Sequence, residues 1–299
     1  MRSILLFPLL LLAVAIEVRA QPYSGPIIDV HLHVGPAAPG AANPATGLPT
    51  SATTDEDRER LTLEQLQKHN VVLGLVSGPH AAMASMRKRG GDRIWAGALL
   101  DDGRTPLPPP ETLRAAFAAG DLKVIGEIGA QYHGLNPSDE WFEPYLAMAE
   151  ELDIPVGIHT GLAPPGTPYG CCPKFTVALG NPLQLEPMLK RHPRLRVWLM
   201  HAGWPYLQET KAILYMYPQV HADVSVIDWI IPRAEFHQYL QALLTAGFGD
   251  RLMFGSDQMV WPEAIGQAIE GVDSAPFLDA AQKRAIFHDN AARFLKLEP

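Results

Sequence analysis

Short apolar runs alternate with longer amphipathic segments along most of the chain. Eight runs rich in Val, Ile and Leu cover residues 27–34, 71–77, 94–100, 123–129, 155–160, 196–202, 220–226 and 251–257. Segments of helical period and sufficient length for crossover helices cover residues 55–69, 110–119, 139–152, 182–191, 205–217 and 233–246. Strands that alternate with helices predict a parallel sheet built from repeated βα units.

Eight strands with intervening helices predict an α/β protein with a closed (β/α)8 TIM barrel. An open doubly wound sheet is the alternative, but it usually has a Gly-rich phosphate-binding turn after its first strand. In this chain the carboxyl end of the first predicted strand holds His31-Leu32-His33 instead. The chain of 299 residues also suits one barrel, which typically needs about 250. We therefore predict a single catalytic domain over residues 21–299.

The first 20 residues have the features of a secretory signal peptide. Arg2 supplies a positive start, residues 4–16 are almost wholly apolar, and Val18-Arg19-Ala20 offers small residues for cleavage. An uncleaved anchor is the alternative, but the apolar run is shorter than the roughly 20 residues that span a bilayer. We expect export to the periplasm or the medium, with no membrane association after cleavage.

The charge balance favours a small-molecule substrate over a nucleic acid. The formal net charge is −8, and the one basic run, Arg87-Lys88-Arg89, ends a predicted helix, where it complements the helix dipole. Phosphate binding needs clustered Lys and Arg, so nucleic acid is not expected as a partner. Homo-oligomers are common among barrels, and the residues leave this question open.

Two long loops follow predicted strands. Residues 35–54 are rich in Pro, Ala, Gly and Thr, and they form either a cover over the site or a disordered insertion. Residues 161–173 form a second loop that contains both cysteines, Cys171 and Cys172. Adjacent cysteines exclude an ordinary disulfide framework. A vicinal disulfide, two free thiols near the site, and a loop without chemistry remain open.

Polar residues that can bind metals mark the carboxyl ends of the predicted strands. His31 and His33 share one face of the first strand because side chains two apart in a strand point the same way. Four further residues of this kind end later strands, and they are Glu127, His159, His201 and Asp257. Barrels place their chemistry at this end, where the loops converge.

Taken together, these six residues predict a metal site. A single histidine at a strand end is common, but six such residues buried together without an ion would have a high desolvation cost. Imidazole and carboxylate ligands favour zinc, with manganese, iron and nickel as alternatives. Side chains just past them are candidates to contact substrate, although packing at helix starts explains most of them equally well: Gln131, Tyr132, His133, Trp204, Tyr206 and Trp261. Asp101, Asp102 and Arg104 are interpreted as a solvated loop.

The set of motifs resembles the amidohydrolase superfamily, especially its amidohydrolase-related family. The matching elements are His31-x-His33 and the strand-end residues His159, His201 and Asp257, followed by 290–295, which looks like the closing helix of the family. The resemblance covers the whole chain after the predicted signal. It implies a (β/α)8 metal enzyme.

The resemblance also implies roles for the six residues. His31, His33, His159 and Asp257 would bind one ion, and His201 would bind a second ion or the substrate. Glu127, in Gly126-Glu127-Ile128-Gly129, matches a bridging carboxylate of TatD-type nucleases, so one or two ions are expected. Asp257 would move the proton of the attacking water, and His201 would stabilise the oxyanion.

Three functions follow from this set, and the sequence favours the first. A metal-dependent hydrolase would act on an ester, lactone, amide or phosphoester. A zinc-dependent non-oxidative decarboxylase is the alternative, but members of that branch generally lack the fourth-strand glutamate, and Glu127 would repel a carboxylate substrate. A non-catalytic exported protein that binds a metal or ligand would not need Asp257 as a proton acceptor.

Overall fold

The computed structural model describes residues 22–100 and 107–297. The eight strands are β1 (Ile27–His33), β2 (Val71–Ser77), β3 (Ile94–Ala98), β4 (Val124–Ile128), β5 (Val156–His159), β6 (Val197–Met200), β7 (Val220–Asp223) and β8 (Leu252–Met253). The predicted signal at residues 1–20, and Asp101, Asp102 and Arg104, lie outside the described residues.

Helices separate most of the strands and complete the barrel. They are α1 (Asp55–Lys68), α2 (His80–Gly90), α3 (Pro110–Ala119), α4 (Glu143–Glu151), α5 (Glu186–Arg191), α6 (Leu207–Met216), α7 (Ile227–Ile230), α8 (Arg233–Thr245), α9 (Ala264–Asp273), α10 (Ala280–Arg284) and α11 (Asn290–Leu295). Within the described ranges, none of these helices is both long and apolar enough to cross a bilayer.

The strands form one parallel sheet in chain order, β1 to β8. The seam between β8 and β1 is joined by backbone hydrogen bonds, in which Val30 donates to the Phe254 carbonyl at 3.1 Å and Asp257 donates to the His31 carbonyl at 2.8 Å. The predicted barrel is thus confirmed. β8 is much shorter than the predicted run, because the residues after Met253 leave the ladder with β7 and bond to β1 and the 285–289 turn instead.

Two apolar layers hold the barrel together. Side chains from the strand interiors, including Trp198, pack with α11, where Phe294 and Leu295 close the end of the barrel opposite the strand carboxyl ends. Trp198 fits because Gly157 faces it: a Cβ at Gly157 would lie 2.4 Å from the indole. The second layer lies between the strands and the surrounding helices. The closing helix expected at 290–295 is therefore present and serves as the plug of the barrel.

Several helices are shorter than the amphipathic segments that predicted them. A 3-10 turn precedes α4 at residues 140–142, and another precedes α5 at residues 182–185. A third, at residues 201–203, lies between β6 and α6. In contrast, α1 begins at the predicted Asp55, because the Thr54 side chain accepts a hydrogen bond from the Asp57 N–H and caps the helix.

The loop at residues 35–54 is a hydrogen-bonded segment and not a disordered insertion. Ala42 and Pro49 form an antiparallel bridge within it. The Thr50 hydroxyl donates to the Val260 carbonyl at 2.8 Å, and the Trp261 indole donates to the Ala41 carbonyl at 3.0 Å. These bonds attach the loop to the segment that follows β8.

Removing the buried amide of Asn290 is expected to destabilise the barrel. Its Nδ2 donates to the Gly249 and Leu252 carbonyls at 2.8 and 2.7 Å, so Asn290→Ala leaves two carbonyls beside β8 without donors. We expect a loss of about 3 kcal/mol in the free energy of unfolding, measured by denaturant titration. The control is Gln241→Ala, which removes an exposed amide from α8 and should change stability by less than about 0.5 kcal/mol. Equal effects of the two substitutions would contradict this account.

Candidate metal centre

The six predicted residues converge at the carboxyl end of the barrel. His33 and His159 end β1 and β5, Glu127 lies in β4, and His201 and Asp257 follow β6 and β8. All except His33 are more than nine-tenths buried. The convergence follows from the parallel sheet, since the carboxyl ends of all eight strands meet at one rim.

Three atoms, from His31, His33 and Asp257, have the spacing of ligands around one ion. His31 Nε2 lies 3.1 Å from His33 Nε2, and Asp257 Oδ1 lies 3.2 Å from His33 Nε2 and 3.8 Å from His31 Nε2. Two ligands with the 2.0–2.1 Å bonds of tetrahedral zinc lie about 3.3 Å apart. Asp257 Oδ1 is buried and makes no hydrogen bond. A buried carboxylate oxygen without a donor, facing two imidazole nitrogens, fits a cation.

Glu127 faces two different groups of histidines. Its Oε2 lies 3.4 Å from His33 Nε2 and 3.7 Å from His31 Nε2. Its Oε1 lies 3.9 Å from His159 Nε2. The ligand atoms of Glu127, His159 and His201 form a second group within 4.8 Å of one another. One carboxylate therefore stands between two groups of candidate ligands.

A buried pair at the end of β7, Asp223 and Ser225, sets the tautomers of two histidines. The Ser225 hydroxyl donates to Asp223 Oδ1 at 2.6 Å, so its oxygen is free to accept from His31 Nδ1 at 2.8 Å. His201 Nδ1 lies 3.1 Å from the Ser225 carbonyl, which only accepts. Both Nδ1 atoms therefore hold the proton. When a metal binds, the lone pair of each ring is therefore on Nε2, which faces the site.

The other two histidines also have partners on Nδ1. His33 Nδ1 lies 3.2 Å from the Ser77 hydroxyl. His159 Nδ1 lies 2.6 Å from Gln131 Nε2, while Gln131 Oε1 is buried without a partner. Rotating this amide by half a turn pairs Oε1 with an Nδ1–H and leaves the His159 Nε2 lone pair for an ion. The Tyr132 hydroxyl lies 3.1 Å from that Nε2.

Electrostatics favour the metal-binding forms of Glu127, Asp257 and His159. Burial alone would raise the pKa of Glu127, but the hydrogen bond with His31 and the adjacent His159 and His33 lower it to about 2. Asp257 is shifted in the same direction, since neighbouring histidines outweigh burial and hold its pKa below the usual range. Burial lowers the pKa of His159 to about 3. Ionised carboxylates and neutral imidazole are the forms that bind metals. At His31, burial lowers the pKa, but Asp257, Asp223 and Glu127 outweigh it and raise the pKa well above its usual value, so an ion would displace a proton there.

The backbone is strained where two of these side chains are presented. His201, Ala202 and Asp257 have φ values of 61°, 46° and 43°, in the left-handed region that non-glycine residues seldom adopt. Such conformations cost on the order of 1–3 kcal/mol each and persist where surrounding contacts fix them. Here the His201 N–H donates to Asp223 Oδ1 at 3.0 Å, and the Asp257 N–H donates to the His31 carbonyl.

A cavity of about 420 Å³ opens onto the cluster. Its lining combines four of the six residues with apolar side chains and the two cysteines: His33, Arg58, Leu99, Glu127, Tyr132, His159, Cys171, Cys172, Asp257, Met259 and Val260. This volume suits a small-molecule substrate. The loop predicted at 161–173 therefore reaches the site, whereas no residue of the loop predicted at 35–54 lines this cavity.

Of the six residues predicted to contact substrate, only Tyr132 lines the cavity. Gln131 instead lies against His159, as described above. The indole of Trp204 donates to Glu235, the Tyr206 hydroxyl donates to the Val177 carbonyl, and Trp261 donates to Ala41. His133 is not part of the wall. Contacts with neighbouring segments, the alternative stated for these residues, therefore account for Trp204, Tyr206 and Trp261.

Sequence reasoning missed the residues that hold the site in place. Asp223 and Ser225 are two positions apart in the seventh apolar run, so strand periodicity puts both on one face and could have identified them. Arg58 had no such signal. From α1 its guanidinium donates to the Pro36 carbonyl at 2.8 Å, to the His33 carbonyl at 3.1 Å and to the Met259 carbonyl. It thus joins the segments after β1 and β8, and burial lowers its pKa to about 10.

Solved structures similar to this one have the same barrel. A probable 2-pyrone-4,6-dicarboxylic acid hydrolase from Acinetobacter baumannii, with citric acid bound, is 20% identical with a TM-score of 0.64, and the match covers 91% of this chain and 99% of that one. The 2,6-dihydroxybenzoate decarboxylase from Rhizobium is 17% identical with a TM-score of 0.62, and the match covers 91% of this chain and 100% of that one. At these identities the likeness shows the fold alone.

Sequence comparison gives a shorter match and a family. Protein fluG of Emericella nidulans is 24% identical over 137 residues, which are 46% of this chain and only 14% of that protein. The family model described as Amidohydrolase matches residues 28–297, from β1 to the end of the described chain. The match includes all eight strands and all six clustered residues. On this evidence the chain belongs to the amidohydrolase family.

Proposed function

We propose that the protein is a metal-dependent hydrolase that acts on the carbonyl group of a small ester, lactone or amide. The position of Glu127 is the observation that supports this best. Its two oxygens face separate histidine groups, at 3.4 Å from His33 and 3.9 Å from His159, which suits a carboxylate shared by two ions. Paired ions are a common arrangement for hydrolysis. Phosphoesters remain within the same chemistry.

The proposed ligands follow from the Nε2 and carboxylate atoms that converge. His31, His33 and Asp257 would hold one ion, His159 and His201 would hold a second, and Glu127, which faces both groups, would be shared between them. A bound ion, zinc in our proposal or otherwise manganese, iron or nickel, supplies a water of lowered pKa and polarises the substrate carbonyl. Residues 1–20 support export as a further proposal.

Asp257 is suited to move the proton during hydrolysis. The residue lies in the cavity wall, and with Oδ1 facing the ion position, Oδ2 would accept the proton of the attacking water and return it to the leaving oxygen or nitrogen. His201 was expected to stabilise the oxyanion. Its Nδ1–H bond to the Ser225 carbonyl leaves a lone pair on Nε2 of the neutral ring, so the geometry favours a ligand over an oxyanion donor.

Decarboxylation is the competing activity, because a barrel similar to this one is a decarboxylase. That reaction would bring the scissile carboxylate of the substrate to the cluster, beside the ionised and buried Glu127. Like charges in a buried site repel, so Glu127 opposes this approach wherever bound ions do not offset its charge. A lactone or ester carbonyl is neutral and meets no such repulsion. The pyrone named for the similar hydrolase structure suggests a flat, unsaturated ring lactone as the first substrate to test.

Metal content distinguishes a two-ion centre from a one-ion centre. We expect about two ions per chain in protein purified without chelators, and about one in Glu127→Gln, because that substitution removes the charge shared by both positions. Elemental analysis of both proteins is the measurement. Glu111→Gln, an exposed position on α3, is the matched control and should keep both ions. A single ion in the wild type that Glu127→Gln retains would favour the decarboxylase, and a metal-free wild type would contradict the proposal.

Replacing Asp257 by Asn should separate proton transfer from overall folding. The amide keeps the shape but cannot accept the proton, so kcat for lactone hydrolysis should fall by roughly 10³-fold. Activity would be followed by product release across a panel of lactones, esters, amides and phosphoesters, with benzoate-type acids as decarboxylase substrates. Near-normal hydrolysis by Asp257→Asn would exclude this residue as the base, and carbon dioxide release from the acids alone would favour the alternative.

The hydroxyl of Ser225 should matter for metal affinity although it is not a ligand. Ser225→Ala removes the acceptor for His31 Nδ1 and one partner of His201 Nδ1, at 2.8 and 3.1 Å. We expect 10–100-fold weaker metal binding, the usual cost of losing a partner that orients a ligand. Competition with a chromophoric chelator measures this. Ser85→Ala, which loses a hydrogen bond to Glu59 on the outer helices, should bind metal normally; an equal loss in both variants would argue against the orienting role.

A further inference from the structure

The two cysteines form part of the wall of the cavity that holds the metal cluster. Cys171 and Cys172 are joined by a disulfide, and both line the cavity together with His33, Glu127 and Asp257. None of the roles assigned above uses them. Cys171 is exposed and Cys172 is half-buried, so the sulfur pair lies at the mouth of the cavity.

The loop that contains the disulfide is fixed at its base. The Gly161 N–H donates to the Gly180 carbonyl at 2.7 Å, and a Cβ at Gly180 would lie 1.9 Å from the Gly161 oxygen. The two ends of the loop thus meet so closely that a side chain is excluded. The loop is a closed surface unit whose ends do not separate freely.

Contacts near the cysteines hold them beside the cluster. The Cys172 N–H donates to the Thr167 carbonyl at 3.2 Å, and the Cys172 carbonyl accepts from the Phe175 N–H at 2.9 Å. The Phe175 ring packs on Tyr132 with centroids 5.5 Å apart, and Tyr132 in turn reaches His159. The position of the sulfur pair is therefore coupled to a side chain that lies on a candidate ligand.

Joining adjacent cysteines closes a small ring that includes their shared peptide bond. Neither side chain can then change rotamer independently, so the pair presents one fixed apolar surface. Sulfur is polarisable and packs well against the edges and faces of unsaturated rings. The remaining apolar lining consists of Leu99, Met259 and Val260.

We propose that the Cys171–Cys172 disulfide is a specificity-determining wall of the substrate pocket, which packs against the flat ring of an unsaturated lactone. This inference rests on the proposed hydrolase function for its substrate class. The wall excludes rings that are puckered at the position where the sulfur pair lies. It acts on binding and not on the proton transfer assigned to Asp257.

Binding of two matched ligands tests the wall without requiring turnover. The ligands are a 2-pyrone carboxylate and its saturated six-membered lactone analogue, titrated calorimetrically into the wild type and into Cys171→Ala/Cys172→Ala. We expect the double variant to bind the pyrone roughly tenfold more weakly than the wild type does, which is the size of effect that a small change in a pocket wall has on binding. Its affinity for the saturated ring should stay within about twofold of the wild-type value. Metal content should be unchanged. Tyr169→Ala, in the same loop but 95% exposed and absent from the wall, is the control and should match wild type.

Reduction provides a second test on the unmodified chain. An uncharged trialkylphosphine replaces the S–S bond by two S–H bonds and is itself oxidised to the phosphine oxide, with the oxygen taken from water. The wild type should then lose the same preference for the pyrone, and the double variant should not respond. A response of both proteins, or of neither, would contradict the proposal.

The outcomes separate this inference from the proposed function. If the double variant hydrolyses lactones with an unchanged ring preference, the proposed role of the disulfide is wrong and the proposed hydrolase function stands. Preferential pyrone binding that depends on the disulfide, without any hydrolysis, supports the wall and overturns the hydrolase. If the wild type binds neither ring, the proposed role of the disulfide is wrong, because the pocket then does not accept the substrate class that this role requires.

Discussion

The hydrogen bond between Ser225 and Asp223 is the interaction on which the arrangement of the site depends. By donating at 2.6 Å to Asp223, the hydroxyl becomes an acceptor for the Nδ1 atoms of His31 and His201. Those two rings come from β1 and from the turn after β6, so one hydroxyl orients side chains from opposite parts of the barrel. Without it, His31 Nδ1 would lose its closest acceptor, whereas His201 Nδ1 would keep the Ser225 carbonyl. An Nε2 that bears hydrogen cannot bind a metal. The burial of these side chains is tolerable because each Nδ1 has a partner.

The same few bonds that orient the site also close the barrel. β8 has only two residues, and its seam with β1 includes the Asp257 N–H bond to the His31 carbonyl, which joins two candidate ligands through their backbones. Arg58 adds bonds to the His33 and Met259 carbonyls across the same seam. Strain at Asp257, with φ of 43°, is therefore held by the closure of the sheet itself. A change that opens this seam should disturb both stability and the spacing of the ligands.

The sequence predicted what depends on local pattern and missed what depends on contacts between distant segments. Apolar runs located all eight strands, and strand ends in a parallel barrel necessarily meet, so the six clustered residues could be found without a structure. Strand periodicity could single out Ser225 and Asp223 as a pair, but not that Ser225 and Gln131 reach the Nδ1 atoms of His31 and His159, because those contacts join segments after different strands. Distinguishing Tyr132, which lines the cavity, from Trp204 and Tyr206, which bond elsewhere, required the loop paths, which no periodicity encodes. β8 was predicted too long because its apolar run continues after the ladder ends.

Charge balance connects the number of ions to the kind of substrate. The pKa values of Glu127, Asp257 and Asp223 are lowered, so with neutral histidine ligands the site would carry three negative charges. One divalent ion would leave a net negative charge, which does not attract an anion. Two ions leave a net positive charge in a site that is mostly buried, where electrostatic interactions are strong. That excess would stabilise the oxyanion formed from a neutral carbonyl. His201 has no Nε2 proton for this role in the tautomer that its bond to the Ser225 carbonyl favours. A second ion would therefore supply the stabilisation that the side chains themselves lack.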